Sequence, residues 1–173
     1  MFVHVNVLMC QKADKLVNRA AKLAKILGEE FSGCSQMTLK ALQETFGVVD
    51  QNVFMAATSL AGGVARSGEV CGALLGALMF VGMLHGRRRL ERTSESEDYS
   101  KCMDLAIKIY DEFKQTYGSV RCKDIHLRLF GRVYDLRNSE DLKVFAESGA
   151  MNKCADVMAK AAEIAAKHII KIS

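Results

Sequence analysis

Six cysteines carry the redox or metal chemistry open to this chain, at positions 10, 34, 71, 102, 122 and 154. No two form a CxxC pair, and none joins His4, His85, His126 or His168 at a local zinc-finger spacing. Thiolate sulfur ligates zinc, holds iron–sulfur clusters and exchanges with disulfides, so three chemistries are open. The compartment narrows them. Met1-Phe2-Val3-His4-Val5-Asn6-Val7-Leu8-Met9-Cys10 is apolar but lacks a positive region and a cleavage site. We therefore read no signal peptide, and Leu8-Met9-Cys10 follows too short a run for a lipoprotein site. The expected location is cytoplasmic, where surplus cysteines bind metal or do redox chemistry more often than they staple a fold.

Cys71 lies in the most distinctive stretch, Gly62 to Gly86. A glycine-rich turn runs there into a helix with no charged residue from Val70 to Leu84. Apolar or small side chains fall on every face, which predicts a helix buried all round. Its 15 residues are too few to span a bilayer, which takes about 20. Gly72 and Gly76 share one face, and glycine inside a helix costs roughly 0.5–1 kcal/mol against alanine. Close approach by a backbone or a bound group is the expected compensation. Ser67 reads as the helix cap, which puts Cys71 in the first turn, where exposed amides and the helix dipole favour a thiolate.

The elements around this stretch are helices. Proline and tryptophan are absent, aromatics are 7%, and half the residues are apolar, so the core must be Ala, Leu, Val, Ile and Met. Apolar spacing predicts helices over 11–31, 34–46 and 51–60, a central helix over about 70–85, and further helices over 98–117 and 150–170. Short helical pieces follow Ser119, with Cys122 in the first turn, and span Ser139–Phe145. Strand alternation is weak throughout. The expected fold is all-α, a compact multi-helix bundle around the buried central helix, in a single domain over 1–173. Arg87-Arg88-Arg89 reads as a solvated connection, and a net charge of +4 spread along the chain is not a nucleic-acid footprint.

Cys34, Cys71, Cys122 and Cys154 each fall within the first turn or so of a predicted helix, whereas Cys10 and Cys102 do not. Four helix starts meeting at one point would stabilise concentrated negative charge, which an iron–sulfur cluster held by thiolates carries. Each cysteine taken alone is as well explained as a small core hydrophobe.

The order Cys34-Ser35-Gln36, Gly62-Gly63 with Arg66 and Gly68-Glu69, Cys71-Gly72-Ala73-Leu74-Leu75-Gly76, Gly118-Ser119 with Cys122, then Cys154 resembles the C-GCAxxG-C-C family of redox-active proteins. The likeness runs from about residue 14 to 160. The same domain type resembles the non-haem part of split-Soret cytochromes, which is associated with an iron–sulfur centre. That resemblance implies Cys34, Cys71, Cys122 and Cys154 as cluster or redox cysteines. The haem half does not carry over, because the chain has no CxxCH. Cys10 and Cys102 lie outside the pattern and read as structural or incidental.

Gly72 and Gly76 would make room for a cofactor or for a neighbouring helix. Arg66 would balance the charge of a cluster or point into solvent. Gln36 would hydrogen-bond a sulfur or cap its own helix. His85 ends the central helix roughly 20 Å from Cys71, too far to ligate the same centre. His4, His126 and His168 have no partner at ligand spacing and read as ordinary histidines. The leading expectation is a redox-active protein whose four cysteines bind an iron–sulfur cluster for electron transfer or redox sensing. Its rivals are a thiol–disulfide oxidoreductase using the same cysteines, a structural Cys₄ zinc protein, and a helical binding protein with core cysteines. The expected partner is a redox protein, membrane-associated in one version, with no nucleic acid and no membrane insertion. An Ala-rich bundle with a long terminal helix also favours a homodimer.

Overall fold

The computed structural model describes residues 2–172, with side chains from Gln11 onward, so His4 and Cys10 lie outside the described side chains. Eight α-helices follow in order: α1 (Phe2–Phe31), α2 (Cys34–Phe46), α3 (Gln51–Ala56), α4 (Gly72–His85), α5 (Glu97–Tyr117), α6 (Cys122–Phe130), α7 (Ser139–Glu147) and α8 (Ala150–Ile170). Single 3-10 turns lie at Ala57–Leu60 and Thr93–Glu95. Among the described residues there is no strand, only an isolated antiparallel bridge between Val70 and Arg121. The fold is all-α, as the composition requires. No helix among the described residues is long and apolar enough to cross a membrane.

α8 lies along α1 and also touches α2, α4, α5 and α7. Small residues allow the close approach. Ala20, Ala24 and Gly28 recur every fourth position on α1, opposite the alanine-rich α8. A Cβ at Gly28 would stand 2.9 Å from Met158 Sδ and 3.1 Å from Ala155 Cβ. Interiors pack at crystal-like density, so such a groove has no room for a larger side chain.

α4 is the buried helix that the sequence leads one to expect. All its side chains are buried or half-buried, and only Gly82 is exposed. It packs mainly on α2, with α5 and α8 over its other faces. A Cβ at Gly76 would run into the Ser35 carbonyl of α2, so Gly76 is where the two backbones touch. Phe80 packs on Phe46 at 5.6 Å between ring centres. One boundary differs from expectation. α4 begins at Gly72 with Cys71 as its N-cap, and Ser67 is no cap: its hydroxyl donates to the Gly63 carbonyl at 2.6 Å.

Candidate functional site

Three of the four cysteines stand at the start of a helix. Cys34 opens α2, Cys122 opens α6, and Cys71 is the N-cap of α4. Cys154 is the fifth residue of α8, one turn inside. The helices converge so that each thiol feels the others. Ionisation of Cys71 is opposed by Cys34 and Cys122, that of Cys122 by Cys34 and Cys154, and that of Cys154 by Cys71 and Cys34. Cys34, Cys122 and Cys154 line a cavity of about 160 Å³, together with Arg66, His126 and Phe145. Cys71 is buried at 6% exposure. Cys102, half-buried on α5, is not part of the cavity wall. All five described cysteines are free thiols.

The loop before α4 sets this arrangement. Gly62, Gly63, Val64, Ala65 and Arg66 have φ of 66°, 76°, 63°, 48° and 60°, a run of five left-handed residues. For the three that carry a Cβ this costs roughly 1–2 kcal/mol each. Hydrogen bonds hold the turn: Ala65 N–H donates to Ser59 O at 2.7 Å, Arg66 N–H to Ala61 O at 3.0 Å, and Gly68 N–H to Gly62 O at 3.1 Å. The Arg137 guanidinium donates to the Ala65 carbonyl at 3.1 Å. Such strain persists only where the surroundings over-determine the backbone.

Beyond the turn the chain is zipped to the start of α6. Cys122 N–H donates to Glu69 O at 2.6 Å, and Cys71 N–H donates to Val120 O at 2.8 Å. The Glu69 carboxylate accepts from Arg121 at 2.9 and 3.2 Å and from Lys123 at 3.3 Å, which holds its pKa below the usual 4.5. The joint is tight. A Cβ at Gly63 would lie 2.6 Å from Glu69 N and 2.8 Å from Cys122 Cβ. Cys71 and Cys122 are thereby brought together by backbone pairing rather than by side-chain contact.

Burial dominates the electrostatics. It pushes the pKa of all four thiols up, those of Cys71, Cys122 and Cys154 far beyond the usual value. The expectation that the helix start makes Cys71 a thiolate is therefore corrected, because desolvation outweighs the dipole. Local donors pull the other way. Backbone amides of Gly62, Ser35, Cys34 and Gly72 favour the anionic form of the Cys34 sulfur, and those of Ala73 and Leu74 favour that of Cys71. Gly72 is bare for a steric reason too, since a Cβ there would run into Cys34 Sγ.

The remaining residues singled out in the sequence divide. Arg66 is exposed yet lines the cavity. Gly76 meets the α2 backbone and is not in the cavity wall. Gln36 donates to the Phe54 carbonyl at 3.1 Å and so ties α2 to α3. His85 closes α4 at the end away from Cys71.

His126 is the main correction. It was expected to be an ordinary histidine without a ligand-spaced partner. It is instead 3% exposed, with Nε2 3.6 Å from Cys122 Sγ and 4.0 Å from Cys154 Sγ. The signal was its position four residues after Cys122, on the same face of one helix. Burial lowers its pKa. Tyr117, which the sequence reading does not single out, packs on Phe113 at 4.9 Å between ring centres, and burial pushes its phenol up.

Among the described residues, no three His, Cys, Asp or Glu side chains stand ready to close around one metal ion. The donor set nevertheless suits a sulfur-ligated group in its chemistry. Four thiols share one buried region, backbone amides favour anionic sulfur on two of them, and Gly72 is cleared for Cys34.

An uncharacterized protein of Archaeoglobus fulgidus is 27% identical to this chain over 162 residues, covering 89% of this chain and 93% of its own length. No solved structure matches. The family model described as "Putative redox-active protein (C_GCAxxG_C_C)" matches residues 32–168, a span that holds Cys34, Cys71, Cys122 and Cys154, and the chain belongs to that family.

Proposed function

We propose that this redox-active protein binds an iron–sulfur cluster through Cys34, Cys71, Cys122 and Cys154, for electron transfer or redox sensing in the cytoplasm. One observation carries the reading: four buried or half-buried thiols converge on one region, three of them lining a single cavity, with backbone amides beside Cys34 and Cys71 that favour anionic sulfur. Such donors are of little use to neutral thiols. They become useful when a cationic metal core displaces the protons, because its charge offsets the burial cost that the dipoles alone do not.

The same observation weighs against the thiol–disulfide alternative. An attacking cysteine works as its thiolate, and reactive cysteines sit in electropositive, partly exposed surroundings. Here burial raises every thiol of the set. The cluster, when bound, supplies one-electron redox chemistry. The chain supplies ligands at or within one turn of helix starts, amide donors near sulfur, and an apolar lining of Leu136, Leu142, Phe145, Met151 and Met158 that limits water. Arg66, at the cavity rim, would offset negative charge and would stand nearest a redox partner protein.

Iron, zinc and acid-labile sulfide measured after anaerobic purification, with an absorption spectrum, test this reading. Iron with matching sulfide and a brown chromophore are expected. Stoichiometric zinc in a colourless protein would establish the structural Cys₄ reading instead. Metal-free protein that neither iron nor zinc reconstitutes would leave thiol exchange or a purely structural role.

A further inference from the structure

The two pairs of sulfurs have different polar neighbours. Cys34 opens α2 and Cys71 caps α4, where backbone amides favour anionic sulfur. Cys122 and Cys154 face the imidazole of His126, which approaches them through Nε2 at 3.6 and 4.0 Å. The ring is fixed. It stacks on Phe145 at 5.3 Å and 19°, and Phe130 and Tyr134 approach it edge-on at 5.2 and 5.9 Å. Its other nitrogen, Nδ1, is buried with no hydrogen-bond partner.

That unpartnered nitrogen selects between the neutral tautomers. A proton on Nδ1 would be a buried donor with no acceptor, which proteins rarely tolerate. A proton on Nε2 points at two sulfurs and leaves only a lone pair unmatched. We infer that His126 is a positioning residue, held as the Nε2–H tautomer, that donates to the Cys122 and Cys154 sulfurs and so tunes the reduction potential of the centre they ligate. The tuning half of this inference rests on the proposed cluster; the tautomer does not. A donor to ligand sulfur stabilises the more negative, reduced state, and hydrogen bonds to sulfur are among the factors that set cluster potentials. His126 is thus the side-chain counterpart of the amides around Cys34 and Cys71.

Two measurements test this. Long-range proton–nitrogen NMR on metal-free protein with labelled histidine reads the His126 tautomer directly. Nε2–H is expected, and an Nδ1–H tautomer or an imidazolium at neutral pH overturns the inference. Anaerobically reconstituted variants then read the tuning. His126→Phe keeps an aromatic ring in the cage but removes the donor, and His126→Gln returns an amide N–H close to the Nε2 position. His126→Phe should retain iron and sulfide while its redox equilibrium moves about tenfold towards the oxidised state, or 59 mV for one electron. His126→Gln should recover part of that shift. Loss of iron from a folded His126→Phe protein would make His126 a ligand, and an unmoved potential would make it packing; either result overturns the tuning role. Wild-type protein that takes up no iron would instead sink the cluster reading, with the tautomer measurement still deciding how His126 meets the sulfurs.

Discussion

The Cys34–Cys71 side of the site and the Cys122–Cys154 side meet the same electrostatic demand by different means. On the first side, helix starts aim main-chain amides at sulfur, and Gly72 is bare so that Cys34 fits. On the second, an imidazole in a cage of Phe130, Tyr134 and Phe145 takes that place. Amides come with the fold and vary little when side chains are exchanged. An imidazole is open to replacement by a single substitution. Under the proposed cluster reading, a side-chain substitution therefore reaches the polar surroundings of sulfur on the second side and not on the first.

The largest expected effect removes either side outright. Cys34→Ala and Cys154→Ala should each abolish iron retention after anaerobic reconstitution, whereas Cys102→Ala should leave iron per chain unchanged. Retention by one of the first two variants would show that the sides act separately. Next comes the joint between them. Gly63→Ala forces a Cβ against the Glu69 backbone and Cys122 at a left-handed φ. It should cost about 3 kcal/mol in denaturant unfolding and lower Tm. A smaller change works in the opposite direction. Ala65 is exposed with φ 48°, so Ala65→Gly should relieve strain and raise stability by about 1 kcal/mol.

The smallest effect concerns the ion pair that ties the loop to α6. The folded Glu69 pKa lies below 4.5, so its contribution is fully present above that pH and is lost as pH falls through the folded value. Glu69→Gln should flatten the acid side of the Tm-against-pH curve and leave neutral pH little changed, since the pair is exposed. A large loss at neutral pH would mean that the pair, rather than the backbone zipper, joins the two sides.

Much of this architecture is legible in the chain. The helix from Ala150 to Ile170 has the expected bounds, and the polar stretch with Arg87, Arg88 and Arg89 is exposed as read. The four cysteines could be placed near helix starts because apolar periodicity and Gly47 and Gly118 stops fix helix ends. Two things were not legible. Val64, Ala65 and Arg66 are not residues that ask for positive φ, so the left-handed run depends on tertiary hydrogen bonds, among them that from Arg137. The burial that reverses the expected ionisation of Cys71 likewise exists only once α4 is covered. His126 is legible by contrast, because a spacing of four from Cys122 puts both on one face of α6.

The distribution of the sulfurs along the polypeptide sets an order on biosynthesis. Cys154 leaves the ribosome last of the four and lies on α8, which brings Met151, Cys154 and Met158 to the cavity wall. No nascent fragment that stops short of α8 holds the whole constellation. Under the proposed cluster reading, a group inserted any earlier would meet one ligand and part of the cavity wall still missing.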